Sequence, residues 1–252
     1  MKKFDGFIKN NLDNKIEKKL SEYLSKHKIS PLDSIKLFPV FARRQILKRF
    51  LAHTELFKLS LNVPGDIAEF GVFHGFDLMT WANLLETYSI GNRTKIVYGF
   101  DNWKGFKKIM TEDGGENKKM QRTSGGYAPK MNKKDLVEAI KIFDEDRFIP
   151  QKPRVKLIEG DISKTIIEFT EKNPGIRFSL VHFDCDLYEP TSIALPIVWE
   201  RLSKGGVLIF DEYAIKEWPG ETKAVDEFLE KKKNIRLRTF DWTNAPAAYL
   251  IK

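Results

Sequence analysis

From residue 65 onward, short apolar or aromatic runs alternate with longer segments whose apolar residues recur every three or four positions. DIAEFG (66–71), KIVYGFD (95–101), RVKLIEGD (154–161), FSLVHFDCD (178–186) and GVLIFDE (206–212) predict strands. LMTWANLLETY (78–88), KDLVEAIKIF (134–143) and SIALPIVWERL (192–202) predict the helices between them. Strands alternating with helices imply right-handed crossovers and an α/β fold, its mostly parallel sheet covered on both faces. Four of the five runs end in an acidic residue, and the first carries Glu69 just before its glycine. Ligands of such sheets bind beyond the carboxyl ends of the strands, where these acids stand. The tail, NIRLRTFDW followed by APAAYLIK, predicts a closing β-hairpin with a final antiparallel strand.

Before this body the pattern differs. Phe4, Ile8, Leu12, Ile16, Leu20 and Leu24 repeat every four residues. That step over-rotates a helix by about 40° each time, so the stripe winds off one face. With Asn10, Asn11, Asp13 and Asn14 in its middle, the segment predicts two short helices or a bent one, ending near Ser30-Pro31. A second helix is predicted over 42–61. These elements would cap the domain or pair with a second subunit, which divides the chain into a helical extension (1–62) and an α/β domain (63–252). Within the latter, residues 106–132 are polar, hold Gly114-Gly115 and Gly125-Gly126, and show no period. A long loop leaving an acidic strand end predicts a lid.

Composition then restricts the class. A chain of 252 residues with 42% hydrophobic residues can build an ordinary core. No apolar run is long enough to span a membrane, and MKKFDGFIKN lacks the apolar region of a secretory signal, so the expected location is the cytoplasm. The single cysteine, Cys185, excludes internal disulfides and a cysteine-based zinc site. The net charge of +8 lies wholly in residues 1–50, and the remainder is neutral. The basicity therefore belongs to the N-terminal segment, whose ordinary explanation is a solvated helical face.

The candidate chemistry sits at the strand ends. EFGVFHG (69–75) runs from a strand into a helix, where glycines allow close backbone approach to a ligand. Its spacing is not that of dinucleotide binders, and Glu69 would crowd a pyrophosphate but accept hydrogen bonds from an ammonium group. A ligand with an amino-acid end fits better than NAD. Asp101, ending the second strand, is placed to grip a ribose diol, and Asp161, ending the third, to accept from an adenine amino group; either could instead cap a helix. Asp184 and Asp186 end the fourth strand, Asp211 and Glu212 the fifth. Four carboxylates in one region repel unless a cation neutralises them, and hard oxygen ligands select Mg2+, Mn2+ or Ca2+ over zinc. His74 and His182 read as structural histidines. Trp103, between Asp101 and Gly105, is the best stacking candidate among the tryptophans.

AEFGVFHG, FDNWKGF, EGDI, HFDCDLYEPT and GGVLIFDEY, in this order, resemble the macrocin O-methyltransferase family of S-adenosylmethionine-dependent sugar methyltransferases, over about residues 60–250. The resemblance implies a class I methyltransferase (Rossmann-like) fold with a seven-stranded sheet, a helical N-terminal addition, a mobile lid and a divalent metal, normally Mg2+ and otherwise Mn2+. It implies S-adenosylmethionine on Glu69, Phe70, Gly71, Gly75, Asp101, Gly105, Asp161 and Ile162, the metal on Asp184, Asp211 and Glu212, and Asp186 as general base. Many relatives resemble an Asp-Asp pair where this chain has Asp211-Glu212. The implied acceptor is a sugar hydroxyl on an antibiotic, a cell-surface polysaccharide or a nucleotide-linked sugar, with no nucleic acid as partner. A metal-dependent catechol methyltransferase is the rival enzyme reading. A nucleic-acid or membrane adaptor built on the basic segment is the non-enzymatic one.

Overall fold

The computed structural model describes residues 9–232 and 235–252, so Phe4 and Ile8 of the four-residue stripe and the start of the expected hairpin lie outside the described residues. The chain begins with helices α1 (Asn11–Lys26), α2 (Pro31–Lys36), α3 (Phe38–Phe41) and α4 (Arg44–Ser60). Asn10 does not interrupt a helix, as its position in the stripe suggests, but starts one. Its side chain accepts the Asp13 N–H at 2.9 Å, and Asp13 in return accepts the Asn10 N–H, a reciprocal cap. Ser30 and Asp33 repeat the device ahead of Pro31.

The body alternates β1 (Asp66–Phe70), α5 (Phe76–Tyr88), β2 (Val97–Asp101), α6 (Lys133–Glu145), β3 (Val155–Glu159), α7 (Ile162–Lys172), β4 (Phe178–Phe183), α8 (Tyr188–Arg201), β5 (Leu202–Phe210), α9 (Pro219–Leu229) and β6 (Ala248–Ile251). The strands form one sheet in the order β3-β2-β1-β4-β5-β6, parallel except for β6, which runs antiparallel to β5. This is the class I methyltransferase fold. Among the described residues it has six strands rather than seven. The first arm of the expected hairpin makes a single rung, with Arg238 and Tyr249 exchanging backbone hydrogen bonds. The ladder stops there because the Thr239 hydroxyl, not a backbone N–H, takes the Ala247 carbonyl, at 2.8 Å.

Side chains alternate across the sheet and divide the core in two. Ala68, Phe70, Phe100, Val181 and Phe210 face α7, α8 and α9. Ile67, Val97, Leu180, Val207 and Ile209 face α4, α5 and α6. Each buried Leu, Ile or Phe contributes roughly 1.5–3 kcal/mol. Ala52, Leu56 and Phe57 of α4 are buried in this second layer, so α4 packs as part of the body although residue 62 was its expected boundary.

The register aligns one residue type. Phe100, Phe70, Phe183 and Phe210 are paired neighbours across β2, β1, β4 and β5 and form a row of stacked rings 4.8–5.7 Å apart. Each is the last apolar residue of its strand, so the residues after them, Gly71, Asp101, Asp184 and Asp211, emerge side by side at the carboxyl edge.

Candidate active site

A cavity of about 450 Å³ opens above that row, where strand order reverses between β1 and β4. The reversal is where ligands of doubly wound sheets bind. At the β1-β2-β3 end it is lined by Gly71, Asp101, Gly105, Asp161, Ile162 and Ser163; at the β4-β5 end by Asp184, Asp186, Asp211 and Glu212.

At the first end, Asp101 accepts the Val72 and Phe73 N–H groups at 2.8 Å and that of Trp103 at 2.7 Å, which fixes the glycine loop beneath the cavity. Asp161 caps α7 through the Ser163 N–H and pairs with Lys107 at 2.8 Å, so its capping role and its place on the wall coexist. The Ser163 hydroxyl is buried without a hydrogen-bond partner. The glycines serve chain packing as much as a ligand. A Cβ on Gly71 would stand 1.8 Å from the Asp184 carbonyl oxygen, and one on Gly105 2.2 Å from that of Gly126.

Four expected cofactor residues stand outside the lining. Glu69 shares the parity of Ile67 and therefore points away from the cavity, where it is buried and accepts the Trp81 indole N–H at 2.8 Å. It is part of the α5-side core, not an acceptor for an ammonium group in the cavity. Phe70 belongs to the ring row and is fully buried. Gly75 caps α5 with φ 85° against Leu136. Trp103 packs against the α4–α6 layer with Lys133 over its ring, so it offers no stacking face to the cavity.

At the second end the acids converge on a cation that the sequence reading missed. Arg49 of α4 donates from Nη2 to Asp184 Oδ2 at 2.7 Å and from Nη1 to Asp211 Oδ2 at 2.8 Å. It also grips Asp77, in the first turn of α5, through Nε at 3.0 Å and Nη2 at 2.5 Å. One basic residue in a basic helix carries no motif; Asp77, an acid opening a helix after HGF, was the available signal. His182 Nε2 lies 3.4 Å from Asp211 Oδ1. Burial raises the Asp211 carboxyl, but Arg49 and His182 outweigh it and hold the group at about 2.

Asp186 stands apart from this network with φ 61° and faces the cavity. Burial, then the charge of Asp211, pushes its carboxyl up to about 7 against the pull of Arg49. Glu212 and Glu221 are also raised, by burial first and then by the surrounding acids. Glu221 Oε1 accepts the Glu212 N–H at 2.9 Å, whereas Oε2 of each is buried without a hydrogen-bond partner. Asp184, Asp211 and Glu212 thus bring hard oxygen donors to one wall, and the orphaned Glu212 oxygen is of the donor type that suits a hard cation. His182, Asp184 and Asp211 already offer ligand atoms within 4.8 Å of one another. Cys185 is buried against Thr191, its thiol raised first by burial, and packs rather than reacts.

The 106–132 segment lines the cavity through Phe106, Lys107, Lys108 and Tyr127 and is tied down. The Phe106 N–H donates to the Gly126 carbonyl and the Gly125 N–H to the Phe106 carbonyl, while Asn117 and Arg122 exchange backbone hydrogen bonds. Buried Arg122 reaches across to the Glu217 carbonyl and lies over Trp218. Asp113 caps α8 by accepting the Tyr188 N–H at 2.7 Å, and His74 accepts the Lys130 N–H at 2.8 Å. Phe106, Tyr127 and Trp218, with ring centroids 5.1–5.9 Å apart, form an aromatic wall facing the acids.

The model of the macrocin O-methyltransferase (TylF) family matches residues 16–246. The chain belongs to this family. It is similar to mycinamicin III 3''-O-methyltransferase of Micromonospora griseorubida, 28% identical over 77% of this chain and 73% of that one. It is also similar to a solved structure of CalS11, calicheamicin methyltransferase, at 30% identity with a TM-score of 0.87, covering 96% and 93% of the two chains. The apo structure of CalS11, a TDP-rhamnose 3'-O-methyltransferase, superimposes with a TM-score of 0.79 at 29% identity over 96% and 95%. As a member of the macrocin O-methyltransferase family, the protein is an O-methyltransferase.

Proposed function

We propose that the protein transfers a methyl group from S-adenosylmethionine to a hydroxyl of a sugar, assisted by Mg2+ or Mn2+. The observation that carries this reading is one cavity spanning the strand-order reversal, with a wall suited to a nucleoside at one end and clustered carboxylates at the other. Gly71, Asp101, Gly105, Asp161 and Ile162 would hold the cofactor. Asp184, Asp211 and Glu212 would hold the cation, which, when bound, orients vicinal hydroxyls and lowers the pKa of the attacked one.

Asp186 takes the hydroxyl proton. Its carboxyl lines the cavity beside Asp184, Asp211 and Glu212, where an acceptor hydroxyl would sit. The wall of Phe106, Tyr127 and Trp218 excludes water and offers ring faces to sugar C–H groups. The named activities of mycinamicin III 3''-O-methyltransferase and TDP-rhamnose 3'-O-methyltransferase support a sugar acceptor, free or nucleotide-linked.

The test is mass spectrometry of nucleotide-linked and glycoside acceptors incubated with purified protein, S-adenosylmethionine and Mg2+. One added methyl on a sugar, lost with chelator and restored by Mg2+, is the expected result. Methylation of catechols alone would replace the acceptor class, and calorimetry showing no S-adenosylmethionine binding would sink the enzyme reading in favour of an adaptor. Asp186→Asn is expected to bind S-adenosylmethionine as the wild type does while transfer falls by at least about a hundredfold; full activity would remove Asp186 as base.

The same reading assigns α1–α3 to contact with a second copy of the chain. These helices bury none of their residues, and Leu32, Ile35 and Val40 stand exposed. Sedimentation velocity should find a dimer or larger species at micromolar concentration, and a strict monomer would discard the assignment.

A further inference from the structure

Arg49 is the one cation in hydrogen-bonding reach of both Asp184 and Asp211 among the described residues, and it takes one oxygen of each of these proposed metal ligands. Its guanidinium is held on three sides: by Asp184 just after β4, Asp211 just after β5 and Asp77 of α5. The three contacts are unequal. Asp77 receives both Nε and Nη2 in a two-pronged grip, whereas Asp184 and Asp211 receive one nitrogen each. Asp77 further faces His53, whose Nε2 lies 3.0 Å from it on the α4 side.

We infer that Arg49 is a built-in occupant of the cation site, which a divalent ion displaces from Asp184 and Asp211 while Asp77 retains it. The inference rests on the metal-assisted reading above. A guanidinium donating to Asp184 Oδ2 and Asp211 Oδ2 at 2.7 and 2.8 Å takes one oxygen of each carboxylate, and two cations on one pair of carboxylates repel. Without Arg49, Asp184 and Asp211 would confront each other in a buried site, with Asp186 and Glu212 beside them; its guanidinium offsets that charge as the chain folds. Because Asp77 lies one helix away from the strand ends, Arg49 has a paired position to withdraw to. Metal affinity is therefore set by the balance between the strand acids and Asp77, a specificity element supplied by α4 and α5 rather than by the ligands themselves.

The experiment titrates Mn2+ into the full chain and reads free ion by electron paramagnetic resonance, with circular dichroism to check folding. Arg49→Gln removes the occupant and should tighten Mn2+ binding at least tenfold. Asp77→Asn removes the position of withdrawal and should weaken it by about tenfold, the opposite sign. Arg49→Lys, which keeps the charge but not the fork, should fall between wild type and Arg49→Gln. If Mn2+ binds wild type, and Arg49→Gln binds it no more tightly, the displacement is wrong while the metal reading stands. Unchanged affinity in folded Asp77→Asn overturns it as well, and needs no variant at Arg49. If neither wild type nor Arg49→Gln binds Mn2+, the metal reading fails and the inference with it.

Discussion

Glu69 shows how a single parity decides a residue's role. It was expected to meet the amino-acid end of a cofactor because it precedes the glycine loop. In the strand it lies two residues after Ile67, so it must share that residue's face and enter the layer of α4 and α5. Burial pushes its carboxyl up to about 7 despite the Trp81 N–H and nearby His182. From the ordinary value of 4.5 up to about 7, the folded chain therefore keeps a proton that the unfolded chain has released. Native stability falls as pH rises through that window, by up to about 1.4 kcal/mol per pH unit. Glu69→Gln still offers Trp81 an oxygen acceptor but no longer titrates. Thermal melts at about pH 5 and about pH 8 should show the variant gaining on the wild type at the higher pH. An equal difference at both would mean that Glu69 is not held protonated. At this scale the sequence revealed the residues that end strands, because Phe followed by Asp or Gly marks the row above which the site forms. It did not reveal Arg49, whose partners are 28, 135 and 162 residues away.

Among elements, the strands and body helices were legible because apolar periodicity persists wherever a face is buried. The stretches that misled are those where side chains replace backbone pairing. Asn10 and Asp13 look like an interruption yet form a cap, and Thr239 ends a ladder that alternation alone would continue. Residues 106–132 show no period because they are ordered by single long-range contacts. Arg122 is the main one: its guanidinium donates to the Gly115 and Glu217 carbonyls and covers Trp218. Losing these charged donors to buried carbonyls costs about 1–3 kcal/mol. Arg122→Ala should therefore leave the global melt nearly unchanged, speed hydrogen exchange across 106–132, and lower kcat/KM by about 5- to 100-fold. Wild-type exchange rates in that segment would show that Arg122 does not hold the lid.

For the whole molecule, the division at residue 62 and the packing of α4 make opposite predictions about what can be removed. The expected extension runs through α4, since both its helices are basic and amphipathic. Yet α1, α2 and α3 bury nothing, whereas α4 buries Ala52, His53, Leu56 and Phe57 and carries Arg49 into the acids. Deleting residues 1–41 removes the Arg43–Asp13 ion pair, at 2.6 Å, and, among the described residues, nothing that is buried. Partly exposed ion pairs contribute about 1 kcal/mol or less. Deleting residues 1–61 takes Leu56 and Phe57 out of the core at roughly 1.5–3 kcal/mol each. It also leaves Asp77, Asp184 and Asp211 without their shared guanidinium, at a further several kcal/mol for uncompensated buried charge. Set against the 5–15 kcal/mol that holds a typical domain folded, the first loss is tolerable and the second is not. The chain from residue 42 should melt cooperatively within a few degrees of the full protein and retain S-adenosylmethionine binding in calorimetry, while the chain from residue 62 should show no cooperative melt. A cooperative melt of the shorter chain would put the domain boundary back at residue 62 and make α4 a cap, and Arg49 with it a dispensable addition to the acid cluster.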